Sequence, residues 1–163
     1  MSKIKLDLNS EQNILNMLME SSSISEDQMS KINANSKEIG KTKLETAIEL
    51  NITDETKIQK ILSTNYSLEL ISLEKKVIDP KIKKIIDLRY IQDNLLVPFE
   101  MGEGVLKIAI ADASKLGLMK NLKTMTKMEP ELYAATISDI NDFIERMSRM
   151  DTKKISSANV KVE

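Results

Sequence analysis

The 163-residue chain contains no cysteine, histidine or tryptophan, and aromatic residues make up only 3% of it. Because thiolate and imidazole ligands are missing, structural zinc, iron–sulfur and ordinary haem sites are excluded. Cysteine nucleophiles, histidine-based triads and disulfides are excluded for the same reason. The 24 lysine and arginine residues nearly balance the 25 aspartate and glutamate residues, so no overall charge attracts nucleic acid or an anionic membrane. On composition alone, an all-carboxylate magnesium or calcium site stays open.

Long apolar runs and glycine-rich loops are absent as well. No segment approaches the roughly 18–20 apolar residues that a membrane-spanning helix needs, so we expect no membrane insertion and a cytoplasmic location. The chain has only four glycines. Gly40-Lys41-Thr42 imitates the end of a Walker A motif, but position 35 is Asn rather than Gly and no buried strand precedes it. The sequence therefore predicts no nucleotide hydrolysis.

The first part of the chain has the apolar spacing of amphipathic helices. After a polar lead-in over residues 1–9, we predict a helical lobe over residues 10–65 that consists of two helix pairs. Ile24-Ser25-Glu26-Asp27 recurs further along as Ile52-Thr53-Asp54-Glu55, with Ser25 aligned to Thr53, which indicates a tandem repeat. The predicted N-caps of its helices are Ser10, Ser25 (in a capping box with Gln28) and Thr53.

From residue 66 the pattern changes, and residues 66–150 predict an α+β lobe with a short mixed sheet. The predicted strands cover residues 68–70, 95–99, 105–111 and 131–135, and a hairpin loop covers residues 100–104. Helices are expected after Asp79-Pro80, after Asp112 or Ser114, and from Thr136. A strand, a helix and a strand follow in order from residue 105, which favours a parallel crossover. Residues 151–163 lack apolar periodicity and are expected to be a flexible tail.

Acidic residues cluster only where helices are predicted to begin. Glu26-Asp27, Asp54-Glu55 and the pair Asp139 and Asp142 each fall in a first helical turn. Negative charge is stabilised there by the helix dipole, which explains these pairs without a metal. We therefore predict no metal site, no catalytic residues and no cofactor.

Lysines and methionines are the other notable groups. Lys75, Lys76, Lys81, Lys83 and Lys84 fall within ten residues, and a solvated helix face accounts for them. No aromatic residues are interleaved for base stacking, so we expect no nucleic-acid partner, although an acidic protein surface stays open. The ten methionines fit core filling, with an adaptable protein-binding face as the alternative.

The order of the predicted elements over residues 10–148 resembles a known family. It is similar to the N-terminal domain of the ATPases of type II secretion and type IV pilus assembly, the GspE and PilB type. The resemblance implies a domain that docks on cytoplasmic parts of a membrane assembly and that precedes an ATPase domain. This chain ends before any Walker motif, so we expect either an independent adaptor or a fragment. The resemblance rests on Leu68–Leu73, Ile78-Asp79-Pro80, Leu96–Phe99, Leu106–Asp112 and Ser138-Asp139-Ile140.

In the MshEN branch of that family, tandem motifs bind cyclic di-GMP. The motif opens Arg-Leu-Gly and has a later glycine; arginine would read a guanine edge and leucine would pack on the base. Both arginines and the motif glycines are missing here, and lysine lacks the planar fork of arginine. The matching positions are Asn13, Ile14, Leu15 and Ser22 in the first unit, and Lys43, Leu44, Glu45 and Asn51 in the second.

The leading hypothesis is a non-catalytic interaction or adaptor module whose partner is a protein of a motility, pilus or secretion machine, or its regulator. The alternative is a diverged cyclic di-GMP receptor, for which Lys41, Lys43 and Leu44 are the candidate contacts. The lost motif residues make us expect no ordinary cyclic di-GMP binding.

Overall fold

The computed structural model describes the backbone of residues 8–162 and the side chains of residues 8–150. The predicted lead-in therefore lies mostly outside the described residues, and its last two residues belong to the first helix. Four helices form the first part of the described chain. They are α1, Leu8–Glu20; α2, Glu26–Ile39; α3, Lys43–Glu49; and α4, Glu55–Tyr66.

The helical part is a tandem repeat. The N-cap Ser25 of α2 corresponds to the N-cap Asp54 of α4, so the repeat is one residue longer than the predicted repeat, which aligned Ser25 with Thr53. The carbonyl of Leu18 accepts hydrogen bonds from the amides of residues 23 and 24, and the carbonyl of Ala47 accepts them from residues 52 and 53. Ser22 (φ 61°) and Asn51 (φ 59°) both adopt the left-handed conformation between the paired helices. Those are the two positions that the family motif gives to glycine, which adopts positive φ without strain.

Two of the three N-caps predicted for the helical lobe are wrong. Ser10 lies inside α1, with its side chain fully buried, because the helix begins at Leu8. Thr53 is also buried, and the cap of α4 is Asp54, whose carboxylate accepts from the amide of Lys57 at 2.9 Å. The capping box of Ser25 with Gln28 is confirmed.

A four-stranded mixed sheet follows, which confirms the α+β class. The strands are β1, Glu69–Leu70; β2, Val97–Gly102; β3, Val105–Ile110; and β4, Glu129–Ala134. They lie in the order β1-β4-β3-β2. The predicted crossover is present, because β3 and β4 pair in parallel, as do β1 and β4, whereas β2 is antiparallel to β3.

The helices around the sheet differ in part from the prediction. Helix α6 was not predicted, and Asp112 rather than Ser114 caps a 3-10 helix that precedes α7. The β2–β3 turn is only Glu103-Gly104 (φ 52° and 78°), since these two residues supply the positive φ values of a type I′ turn. The helices are α5, Pro80–Ile85; α6, Leu88–Asn94; the 3-10 helix Ala113–Leu118; α7, Met119–Thr126; and α8, Ile137–Val162.

Buried side chains of the helical repeat and of the sheet form one continuous core. Leu15 and Leu44 of the helices belong to the same cluster as Leu106 of the sheet and Phe143 of α8. The division near residue 65 stays a prediction about chain organisation. The segment predicted as a tail is assigned to α8 as far as Val162, and its flexibility also stays a prediction.

Candidate functional site

The three residues predicted from sequence as nucleotide contacts have different surroundings. Leu44 is fully buried in the core. Lys41 Nζ lies 2.6 Å from Glu49 Oε2, and this hydrogen bond is the main cause that raises the pKa of Lys41 above its usual value. Lys43 is exposed at the first position of α3. Of the three, Lys43 is therefore exposed to solvent, Lys41 is paired with Glu49, and Leu44 belongs to the core.

The structural repeat also changes which opening residues of the motif are equivalent, since the sequence comparison had matched Asn13 to Lys43 and Leu15 to Glu45. Counted back along the helices, Asn13 of α1 corresponds to Thr42, and Leu15 corresponds to Leu44. The Asn13 side chain accepts a hydrogen bond from the amide of Ala113 at 3.0 Å. Thr42 forms a capping box with Glu45 at the start of α3. Both opening positions of the tandem motif therefore hold local structure together.

A surface groove of about 410 Å³ nevertheless runs beside these positions, between α1, the end of α2 and the start of α3. The carboxylate of Glu11, mostly buried at its floor, accepts from the amide of Leu44 at 3.2 Å. Three cationic side chains also line the groove, and one of them, Lys41, is paired with Glu49. The three are Lys37, Lys41 and Lys43.

The predicted acidic groups serve as links between elements. Both carboxylate oxygens of Glu55 accept from Ser138, one from its amide and one from its hydroxyl, each at 2.6 Å. Asp139 accepts from the amide of Leu73 at 2.9 Å. Sequence reasoning missed these roles because they join residues 66 or more positions apart. Among the described side chains, no group of acidic residues has a geometry that would hold a metal ion.

The irregular segment over residues 71–79 is held firmly against α8. Leu73 is fully buried, and its carbonyl accepts from Arg146 Nη2 at 2.7 Å. Arg146 Nη1 donates to the carbonyl of Lys76 at 3.0 Å, and its guanidinium lies 4.9 Å from the centre of the Phe143 ring. The two hydrogen bonds of Arg146 go to neutral oxygens, so they fix its positive charge in place without neutralising it.

This segment and α8 line a surface groove of about 540 Å³, which we call the basic–apolar groove. Val77 on its rim is 85% exposed, and Met150 on α8 is 37% exposed. Four cationic side chains line the groove against a single carboxylate. Its lining consists of Glu74, Lys75, Lys76, Val77, Ile78, Arg146, Arg149 and Met150.

The predicted lysine cluster is divided among several contacts. Lys76 lies 3.9 Å from Glu100 and 5.6 Å from the centre of the Phe99 ring. Lys83 donates to the carbonyl of Met147 at 3.2 Å, which ties α5 to α8. Lys75, Lys81 and Lys84 are exposed. Only part of the cluster is therefore an ordinary solvated helix face.

The sheet carries a further ion pair and a hydrogen bond to a carboxylate. Lys107 lies 3.1 Å from Glu100, and this hydrogen bond raises the pKa of Lys107. The hydroxyl of Tyr133 donates to Glu131 at 2.7 Å, which is the main reason that the pKa of Tyr133 is raised. Lys107 and Tyr133 therefore each have a carboxylate partner nearby on the sheet.

The methionines divide between the two predicted roles. Met17 and Met147 are buried, whereas Met19, Met125 and Met150 are substantially exposed. Of the exposed methionines, Met150 lines the basic–apolar groove. In the described part of the chain, none of the helices has the length and apolarity to cross a bilayer.

The MshEN domain family matches residues 66–153, which is more than half of the chain, and the chain belongs to this family. It is a domain similar to the N-terminal domains of the GspE and PilB ATPases. A segment of 106 residues is 27% identical to the type IV pilus assembly ATPase PilB of Myxococcus xanthus strain DK1622. That match covers 64% of this chain but only 19% of PilB.

Solved structures share the fold. One is a structure of MshE with cdg, with a TM-score of 0.60 and 21% identity, covering 82% of this chain and 96% of that one. Another is the N-terminal domain of XpsE, with a TM-score of 0.59 and 20% identity, covering 87% and 98%. At these identities the likeness shows the fold, which confirms the resemblance seen in the sequence.

Proposed function

We propose that the chain is a non-catalytic adaptor that binds a cytoplasmic protein of a membrane-associated pilus, secretion or motility machine, or a regulator of one. Its membership of the MshEN family and its likeness to part of PilB support this class of machine. The observation that carries the proposal is the basic–apolar groove. Its exposed apolar side chains, Val77 and Met150, lie together beside four cations, and an apolar patch with a polar rim is typical of a protein interaction site.

The test is binding of the purified chain to purified cytoplasmic components of such machines, measured by biolayer interferometry. We expect one component to bind with a micromolar or lower dissociation constant, in the range of transient interfaces. The variant Lys60→Glu/Lys120→Glu, which changes two exposed lysines on α4 and α7, is the control and is expected to bind equally well. Failure of every component and regulator to bind would contradict the proposal.

A diverged receptor for cyclic di-GMP is the second candidate. The structure of MshE with cdg, a related fold, favours it, and three lysines line the groove beside α3. Against it, the arginines of this chain all lie at residue 89 or later, outside the helical repeat, and Leu44 is buried.

We expect isothermal titration with cyclic di-GMP to give no heat of binding up to millimolar ligand. The helical repeat has no arginine whose planar guanidinium could form paired hydrogen bonds with guanine. The variant Lys41→Ala/Lys43→Ala serves as the matched control. Micromolar binding that this variant weakens tenfold or more would establish the receptor function instead.

A further inference from the structure

We propose that the basic–apolar groove binds a segment of a partner protein in which acidic residues flank one or two aliphatic anchors. The proposal rests on the adaptor function and names the surface and the chemistry that the partner must have. It is carried by the combination of exposed apolar side chains and fixed positive charge in one groove.

The apolar part of the groove is set by Val77, Ile78 and Met150. Val77 projects from a segment whose backbone is fixed on both sides of it: Leu73 is buried, and Asp79 caps α5 by accepting from the amide of Lys81 at 2.9 Å. The groove therefore exists before any partner arrives, and binding orders little of the chain. Preorganisation of this kind reduces the entropic cost of association.

The charge of the groove decides which partner fits. Arg146 lines the groove, and within residues 8–150 its two hydrogen bonds go to the carbonyls of Leu73 and Lys76. Lys75 is exposed at the rim, and Arg149 lies on α8 one turn after Glu145, with 3.9 Å between their charged atoms. Such an exposed ion pair contributes little to stability, so Arg149 can form an ion pair with a carboxylate of a partner protein instead.

Three carboxylates lie near the two arginines of the groove, since Arg146 and Arg149 also line a smaller neighbouring pocket together with acidic side chains. Glu74 belongs to its lining, and a smaller neighbouring pocket of about 250 Å³ also includes Asp139 and Asp142. Asp139 is occupied by the amide of Leu73. The four cations of the groove attract an acidic segment and repel a basic one. The exposed aliphatic side chains favour a protein segment over a nucleic acid, because they offer no donors or stacking surfaces to bases.

The experiment is selection of a random twelve-residue peptide library displayed on phage against the complete chain. We expect enriched peptides to combine aspartate or glutamate with leucine, isoleucine, valine or phenylalanine. A synthetic copy of one selected peptide is then measured by fluorescence anisotropy. Lys75→Glu/Arg149→Glu and, separately, Val77→Ser are each expected to weaken its binding at least tenfold, and Val77→Ile is expected to keep it.

The control Lys60→Glu/Lys120→Glu makes the same change of net charge elsewhere and is expected to leave the peptide affinity unchanged. Circular dichroism should show the fold of each variant intact, because Lys75, Val77 and Arg149 are exposed. Enrichment of basic peptides, no enrichment, or equal binding by the groove variants would overturn the proposal. A dimer that Val77→Ser dissociates would overturn it as well, since the groove would then bind a second copy.

The same variants separate this inference from the adaptor function. If a machine component binds the wild-type chain and the groove variants equally, the adaptor function stands and the groove proposal falls. If no component binds any of them, the adaptor function fails, while the peptide measurement still decides what the groove recognises.

Discussion

Replacement of Leu44 by alanine is expected to lower the free energy of unfolding by about 2–5 kcal/mol, the usual cost of a buried leucine. Leu44 is fully buried, and it belongs to the continuous core shared by the helices and the sheet. Truncation removes apolar contacts and leaves a cavity that packed neighbours fill only in part. Chemical denaturation followed by circular dichroism measures the change.

Leu50 provides the matched control, since it ends the same short helix but is 40% exposed. Leu50→Ala is expected to cost less than about 1 kcal/mol, because little apolar surface is returned to water. If Leu44→Ala left stability unchanged and instead abolished binding of a nucleotide, Leu44 would be a ligand contact and the structural interpretation would be wrong. The pair of variants thus separates the two roles that the sequence allowed for this leucine.

The sequence predicted well those features that depend on local patterns. Helical spacing, the Ser25–Gln28 capping box and the Asp79-Pro80 helix start are all present in the structure. Each of these signals lies within a few residues and reflects backbone hydrogen bonds that the chain must satisfy wherever the element packs. The α+β class followed from the same local signals.

The start of α4 was predicted one residue too early because two neighbouring residues can both act as N-caps. Thr53 and Asp54 are both good N-caps, and only the turn after α3 decides between them. The carbonyl of Ala47 accepts from the amides of residues 52 and 53, which places Thr53 inside the turn and makes Asp54 the cap. That single position makes the repeat, measured from cap to cap, one residue longer than the sequence predicted.

The candidate surfaces could not be predicted from the sequence, because they depend on distant contacts. Lys75 and Lys76 belonged to a recognised lysine cluster, but nothing nearby in the chain indicated that Arg146 would hold that segment. The hydrogen bonds of Arg146 join it to residues that lie 70 and 73 positions earlier in the chain. The exposure of Val77 follows from this anchoring, so it too becomes visible only in the folded chain.

Replacement of Glu55 by alanine is the other change with a large expected effect. The carboxylate of Glu55, in the first turn of α4, receives two hydrogen bonds from Ser138 in the first turn of α8. Hydrogen bonds to charged groups contribute more than neutral ones, and the positive end of the α8 dipole adds to them. We expect Glu55→Ala to lower the free energy of unfolding by about 2–3 kcal/mol, measured by urea denaturation.

The tandem repeat supplies an internal control for Glu55. Glu26 is its equivalent in the first repeat unit, since each directly follows the N-cap of its helix. Glu26 is exposed, so Glu26→Ala is expected to lose only its interaction with the helix dipole, about 0.3–1 kcal/mol. Equal losses for the two variants would show that Glu55 acts only on its own helix.

A double-mutant cycle with Ser138→Ala isolates the contact between α4 and α8. The serine variant removes the hydroxyl donor and keeps the amide, so the coupling energy reports one of the two hydrogen bonds and is expected to be about 1 kcal/mol. A coupling near zero would contradict the geometry. Because α8 also carries Arg146, which fixes the segment beside the basic–apolar groove, Glu55 joins the helical repeat to the element that shapes the proposed binding surface. Loss of peptide binding in Glu55→Ala at temperatures where the variant remains folded would show that this link also positions the groove.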